Sequence, residues 1–214
     1  MQQKKLILPY SWKERCPLLQ DRVFYVPDYY REHNKDLFPL FPLLFGNEHP
    51  VYIEYCSGNG EWIVNKALQC SDCNWIAVEK QFNRVCKIYS KLHRGDIKNL
   101  FIVSGEALTF SREYLPNSCI DGVYINFPDP WPKKRHAKHR IIQSVFSIEL
   151  LRIVKSRGGV TLVTDDMTYL KQMKNEMQGW VLKKKNFFTY GSSHFARLAL
   201  AKGRKIYYLY YERA

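Results

Sequence analysis

No apolar run in this chain approaches the ~20 residues that a membrane-spanning helix needs, and no membrane partner is expected. The opening Met-Gln-Gln-Lys-Lys-Leu-Ile-Leu-Pro-Tyr has a basic start but only three consecutive apolar residues, too few for the apolar stretch of a secretory signal. There is no Gly-Lys-Ser/Thr, so a phosphate-binding P-loop is excluded. Cysteine offers no ligand set. Of six, at positions 16, 56, 70, 73, 86 and 119, only Cys70 and Cys73 make a CxxC, and no second CxxC or HxxxH follows. No metal is expected, and the cysteines read as reduced thiols of a cytoplasmic protein. Acids are the scarcer charge, 20 against 33 Lys plus Arg, for a formal net charge of +13. Such an excess says little about fold and much about partners, with nucleic acid first among them.

What is present supports one α/β domain with a full core: 214 residues, 46% of them hydrophobic. Residues 1–50 are punctuated by six prolines and read as an irregular, partly helical segment, with the main domain over 51–214. From Val51 the rhythm changes. Apolar runs at 51–55, 75–78, 100–103, 122–125 and 160–163 read as strands, and helical patterns at 61–68, 81–93, 141–154 and 167–178 alternate with them. Strands near 181–188 and 205–211, joined by a loop, are expected to close the sheet as a hairpin. Short apolar runs without alternation suit strands buried on both faces of a mostly parallel sheet with helices on both sides. Ligands bind at the carboxyl ends of such strands. Each polar motif lies at one: Glu54 to Gly60, Glu79, Glu106, Asn126 to Asp129, and Asp165.

The most informative stretch is Asn126-Phe-Pro-Asp-Pro-Trp-Pro-Lys-Lys-Arg-His-Ala-Lys-His-Arg140. Three prolines within seven residues fix φ and remove backbone donors. Asp129 lies between two of them, so its carboxylate is carried on a stiff backbone. The following Lys133 to Arg140 is almost wholly basic or imidazole. A fixed carboxylate beside a cationic cluster suits a site that grips a polyanion and does polar chemistry on it.

Gly58-x-Gly60 after the first strand of the alternating region lets backbone approach a ligand. Ile63 stands where a dinucleotide fingerprint would place its third glycine, which argues against NAD or FAD. Glu79, 21 residues after Gly58, ends the next strand, where an acid can accept both ribose hydroxyls of adenosine. Glu54 adds negative charge beside the glycine turn. That suits a cofactor with cationic groups, such as the ammonium and sulfonium of S-adenosyl-L-methionine.

The run from Asn126 to His136, with Glu54, Gly58-x-Gly60, Glu79, Glu106-Ala107 and Thr164-Asp165, resembles the tRNA (guanine-N7)-methyltransferases over roughly residues 50–212. The resemblance implies a class I methyltransferase fold, Rossmann-like, with a seven-stranded, mostly parallel sheet and helices on both faces. It implies S-adenosyl-L-methionine as cofactor and the variable-loop guanosine of tRNA as substrate. Glu54, Gly58, Gly60, Glu79, Glu106, Ala107, Asn126 and Asp129 would hold the cofactor, with Asp129 the catalytic acid. Lys133, Asp165, Ser193, His194, Phe195 and Ala196 would hold the substrate. Arg135, His136, Lys138, His139 and Arg140 would contact RNA. No obligatory protein partner is expected, and the chain would act as a monomer or homodimer in the cytoplasm.

Three positions depart from the family's pattern. Cys56 stands where it usually has glycine, and Glu106 where it usually has Asp or Asn. Its Thr-x-Tyr-Glu stretch falls on Ser193-His194-Phe195-Ala196, without the glutamate. Two other readings remain open on the residues alone. Asn126-Phe-Pro-Asp-Pro-Trp loosely resembles the Asn-Pro-Pro-Tyr motif of amino-methyltransferases, against which Phe127 and Asp129 count. A non-catalytic RNA-binding protein on the same scaffold would fit the lost glutamate, and the Glu54, Glu79 and Asp129 set counts against it.

Overall fold

The computed structural model describes residues 5–183 and 193–213. The chain divides into two units, Met1–Leu115 and Pro116–Ala214.

In the first unit the strands are β1 (Leu18–Gln20), β2 (Val23–Tyr25), β3 (Val51–Tyr55), β4 (Asn74–Glu79) and β5 (Leu100–Ser104). The helices are α1 (Phe41–Phe45), α2 (Glu61–Gln69), α3 (Phe82–Arg94) and α4 (Ala107–Tyr114). The strand order is β1-β2-β5-β4-β3. All pairings are parallel except that of β1 with β2. Helix α3 buries Val85, Ile88, Tyr89 and Leu92, the apolar face its sequence predicts.

Residues 1–50 hold the short helices Lys35–Leu37 and α1, as a partly helical segment would, and they add two strands that the sequence reading lacked, which raises the count from seven to nine among the described residues. The two strands escape a sequence reading because each is three residues long. Their turn is also atypical. Asp21 and Arg22 both take positive φ, 45° and 66°, the geometry of a two-residue hairpin turn usually written with Asn and Gly. Tertiary bonds hold it there. The Tyr89 hydroxyl donates to Asp21 Oδ2 at 2.6 Å, and Arg22 Nε donates to the Leu100 carbonyl at 3.1 Å. Strand β2 is fully buried, and Phe24 packs among Phe38, Phe110 and Tyr114. Phe24, Tyr25 and Phe38 of this segment therefore build core, while Trp12 and Tyr29 stand exposed.

In the second unit β6 (Ile120–Asn126), β7 (Val154–Thr164), β8 (Val181–Lys183) and β9 (Tyr207–Glu212) are ordered β6-β7-β9-β8. The β6–β7 pair is parallel, and β9 runs antiparallel to β7 and β8. Helices α5 (Ser144–Ile153) and α6 (Met167–Glu176) flank β7 in sequence. A third helix, α7 (His194–Ala201), stands between β8 and β9. The expected closing pair is antiparallel as a hairpin would be, but a helix rather than a plain loop precedes its second strand. The part of the expected strand beyond Lys183 lies outside the described residues.

Cys70 and Cys73 are joined as a disulfide in the turn between α2 and β4, which corrects their reading as thiols. Their spacing brings the Cα atoms to 5.5 Å, well inside disulfide range. The turn has a second support, since Asn99 Nδ2 lies 2.8 to 3.0 Å from the carbonyls of Ala67, Cys70 and Cys73. Among the described residues no helix is long and apolar enough to cross a membrane.

Gly105, just after β5, has no room for a side chain. A Cβ there would stand 2.7 Å from Val26 Cβ and 2.9 Å from the Val26 carbonyl. Gly105→Ala is expected to cost about 1–3 kcal/mol through overpacking against fixed backbone. Urea denaturation should show a lower midpoint at unchanged slope. An unchanged midpoint would mean that the surroundings relax freely.

Candidate active site

Strand β3 runs into a turn that three left-handed residues build: Cys56, Gly58 and Gly60, with φ of 58°, 56° and 73°. That explains why glycine suits position 56, where this chain carries a cysteine in a backbone state that costs a side chain of order 1 kcal/mol. Gly60 is fixed twice over, because a Cβ on it would stand 2.7 Å from Ile88 Cγ1 of α3. The turn is held from outside. The Gly58 N–H donates to Glu79 Oε2 at 2.8 Å, and Lys91 Nζ donates to the Asn59 carbonyl at 2.6 Å. Burial lowers the Lys91 ammonium's pKa, and nearby Glu61 opposes that shift. Ser57 Oγ donates to the Glu54 carbonyl at 2.8 Å.

Glu54 and Glu79 are buried acids, 2% and 5% exposed, at the carboxyl ends of β3 and β4. Each Glu79 oxygen accepts one backbone N–H, from Gly58 and from Gln81, both at 2.8 Å. A carboxylate has about four acceptor positions, so two remain for ligand hydroxyls. Glu106, the residue before α4, caps that helix: its Oε2 accepts from the Thr109 N–H at 2.7 Å and from Thr109 Oγ1 at 2.9 Å. Ala107 is buried in the first turn behind it.

In the second unit β6 ends at buried Asn126, and the proline-rich segment begins. Phe127 and Trp131 take positive φ, 49° and 42°, and the Phe127 N–H donates to the Val163 carbonyl at 2.8 Å. Asp129 is exposed and makes no hydrogen bond among the described residues. Lys133, also exposed, precedes a short tight helical turn, Lys134–His139. Arg135 and Lys138 are exposed, and His136 and His139 face the Trp131 ring at 5.8 and 5.4 Å between centroids.

Arg140 departs from its neighbours. It is 6% exposed, and its guanidinium donates to the Pro130 carbonyl at 2.6 Å and to Gln172 Oε1 at 2.6 Å. A residue turned inward with its donors engaged is badly placed to grip phosphate, so the expected RNA role is better carried by the exposed members of the cluster.

Asp165 pairs with Arg204 at 2.8 Å. Half-exposed pairs of this kind contribute about 0–1 kcal/mol, so the pair opens cheaply for a ligand. Ser193 caps α7, its Oγ accepting the Ala196 N–H at 3.1 Å, and both residues are buried. His194 begins the helix, and Phe195 lies partly exposed with its ring 6.4 Å from that of Phe127. Of the four, Phe195 is the most exposed and His194 is half-buried, while Ser193 and Ala196 are covered.

Residues 48–191 match the family described as "Putative methyltransferase". The "tRNA (guanine-N(7)-)-methyltransferase" of Chlamydia muridarum is 45% identical over 217 residues, covering 97% of this chain and 96% of the relative. The chain belongs to the tRNA (guanine-N7)-methyltransferase family. A more distant member from Staphylococcus carnosus is 34% identical over 122 residues, 57% of each protein. Among solved structures, a 16S rRNA (adenine(1408)-N(1))-methyltransferase from Catenulisporales acidiphilia aligns with a TM-score of 0.58 at 15% identity, over 84% of this chain and 94% of that one. The aminoglycoside resistance methyltransferase NpmB1 aligns at 0.55 and 15%, over 86% and 95%. At such identity these neighbours show the class I methyltransferase fold and nothing of substrate.

Several residues that shape this methyltransferase site carried no local signal. Lys91 sits on the polar side of an amphipathic helix, and Arg204 in a basic run after α7. Their partners, Asn59 and Asp165, lie 32 and 39 residues away.

Glu79 is therefore structural as well as a candidate ligand. Glu79→Gln leaves one acceptor where two backbone donors point, and a buried donor without a partner costs about 1–3 kcal/mol. Chemical denaturation should show a stability decrease of that size. A midpoint equal to the parent's would mean that water replaces the missing acceptor.

Proposed function

We propose that this chain methylates N7 of guanine in tRNA, at the variable-loop guanosine, with S-adenosyl-L-methionine as methyl donor. The observation that carries this is 45% identity along nearly the whole of a relative bearing that name, on a fold whose proline-rich strand end presents an exposed acid. The reading also places the protein in the cytoplasm, where tRNA is processed. It leaves the chain able to act as a monomer or homodimer.

The residues fit the cofactor. Glu79, buried at a strand end with acceptor capacity left over, suits the paired hydroxyls of a ribose. Glu54, buried beside the glycine turn, suits the cationic amino acid end. Gly58 and Gly60 let the backbone come close, while Glu106 and Ala107 bound the base at the start of α4. In the second unit Asn126, buried at the end of β6, is a candidate cofactor contact. The bound cofactor supplies an electrophilic methyl group on sulfur.

The remaining chemistry belongs to the chain. Guanine N7 carries a free lone pair at neutral pH, so no base is needed to create the nucleophile. The enzyme's task is alignment of N7 with the methyl group, and positioning supplies most of the effect. As the positive charge moves onto the purine, a fixed carboxylate stabilises it. Asp129 takes that role, and it is also able to accept the N1–H and exocyclic amine of guanine, selecting guanine over adenine. Asp165 and Lys133 hold the base and its phosphate, with Phe195 stacking. N7 is engaged in the tertiary pairing of folded tRNA, so the base has to be swung out.

Incubating the purified protein with S-adenosyl-L-methionine and a tRNA transcript, then mapping the methylated atom, tests the reading. N7-methylguanosine in the variable loop supports it. Methylation on an exocyclic amine, or cofactor binding without transfer, would replace it with one of the two alternatives.

Asp129→Ala is expected to abolish transfer while leaving stability within about 0.5 kcal/mol, as for a surface residue free of structural bonds. Turnover within a few-fold of the parent would remove Asp129 from the chemistry.

The exposed cations Arg135 and Lys138 should hold phosphates, which position the RNA without reading its sequence. Neutralising both should flatten the plot of log affinity against log salt by roughly 0.7–0.9 units for each phosphate no longer neutralised. An unchanged slope would move the footprint elsewhere on the basic surface.

A further inference from the structure

The segment from Asn126 to Lys133 has an unusual backbone problem. Prolines at 128, 130 and 132 supply carbonyls but no N–H groups. Its carbonyls need donors from elsewhere. Trp131, between two of those prolines, sits at φ 42°. A bulky residue there costs of order 1–3 kcal/mol and persists only where its surroundings over-determine it. Trp131 itself is 37% exposed, so burial of the indole does not hold it.

Arg140 supplies what is missing. Its Nε donates to the Pro130 carbonyl at 2.6 Å and its Nη2 to the Trp131 carbonyl at 3.4 Å, the two carbonyls that bracket the left-handed residue. The third arm, Nη1, donates to Gln172 Oε1 at 2.6 Å. The guanidinium lies 5.0 Å over the Tyr169 ring. Both anchors are on α6, and both return to the same strand of chain. Gln172 Nε2 donates to the Ile142 carbonyl at 3.1 Å, and the Ile142 N–H donates to the Tyr169 hydroxyl at 3.1 Å. Helix α6 is in turn fixed at its start by Asp166, whose Oδ1 accepts the Tyr169 N–H at 2.7 Å. The planar fork thus ties the backbone beside Asp129 to a capped helix.

We propose that Arg140 is a positioning residue for Asp129: its guanidinium clamps the Pro130 and Trp131 carbonyls to Gln172 and Tyr169, and so fixes the backbone that carries the acid. This assignment rests on the methyltransferase reading of the site. It takes Arg140 out of the RNA-binding cluster, although it stands at the end of a basic run. The chemistry separates the two roles. Gripping a phosphate needs a charge, which lysine keeps. The clamp needs a planar fork with donors in three directions, which lysine lacks.

The decisive pair of variants is Arg140→Lys and Gln172→Ala, studied in the full chain. For Arg140→Lys we expect kcat to fall at least ten-fold, toward the about 10²-fold that a misplacement near 1 Å costs. The tRNA Kd and its salt slope should stay as in the parent. Gln172→Ala, which removes one arm and leaves the charge, should move kcat in the same direction by less. Amide hydrogen exchange at Trp131 and Lys133 should quicken at least ten-fold in Arg140→Lys. Parent-like kcat in Arg140→Lys would overturn the clamp. So would Arg140→Ala with a weakened Kd and a salt slope lower by about one unit at unchanged kcat, the mark of a side chain that had been neutralising a phosphate. If Arg140→Lys fails to fold, Gln172→Ala decides, and parent-like kcat and exchange in it would overturn the proposal. Should the parent itself transfer no methyl group to tRNA, the functional reading fails. The exchange measurement then judges the clamp alone.

Discussion

In each unit one constraint shapes the segment that carries candidate site residues: the chain leaves a buried strand through left-handed backbone, and a buried charged side chain has to hold it there. After β3 the left-handed residues are Cys56, Gly58 and Gly60, and the holder is Glu79, which accepts the Gly58 N–H. After β6 they are Phe127 and Trp131, and the holder is Arg140, which donates to the carbonyls on either side of Trp131. The two solutions mirror each other in sign. A turn that presents N–H groups is held by a carboxylate, and a segment whose prolines leave it richer in carbonyls than in N–H groups is held by a guanidinium. Charge-assisted bonds of this kind are roughly twice as strong as neutral ones, which suits a backbone that would otherwise relax.

The alternation of strands and helices from Val51 to Glu176 was legible, apart from the unread helix α4, because those strands are largely buried and read as apolar runs. Helix α3 shows its buried face at the expected spacing. What was hidden depends on partners distant in sequence. Strands β1 and β2 are three residues each, and β2 owes its place to parallel pairing with Val103 and its neighbours, some 80 residues on. The hairpin between them uses Asp21 and Arg22, so the usual Asn-Gly signature is missing. Helix α7 is a different case. Ser193 followed by His-Phe-Ala-Arg-Leu-Ala-Leu-Ala carries an N-cap and strong helix formers, and the signal was there to be read.

The lost glutamate at position 196 gains a second meaning from α7. Ser/Thr-x-x-Glu is the pattern of a capping box, in which the first residue accepts the N–H of the fourth and the glutamate reaches back. Ser193 makes the first of those bonds with the Ala196 N–H. The helix therefore keeps half of the device. Ala196, 5% exposed, occupies a place too confined for a glutamate side chain without shifts around it. Of this stretch, His194 and Phe195 keep surface open to solvent, and the Phe195 ring lies near that of Phe127.

The positive charge of the chain is less available than its sum suggests, and that narrows where a polyanion docks. Arg140 is committed to the proline-rich backbone and Arg22 to the carbonyls of β5 and its approach. Arg152 is paired with Glu149, Lys155 with Asp121, and Arg204 with Asp165. Lys91 holds the glycine turn. Among the described side chains of the segment that follows Asp129, the cations left facing solvent are Lys133, Arg135 and Lys138. Lys133 immediately precedes, and Arg135 and Lys138 lie on, a short turn that begins five residues after the acid. Pro130 and Pro132, between the acid and these cations, fix φ at two positions and so limit how far the cluster can move relative to Asp129. On the proposed function, the rigidity that aims the carboxylate would also set the register of the RNA that reaches it.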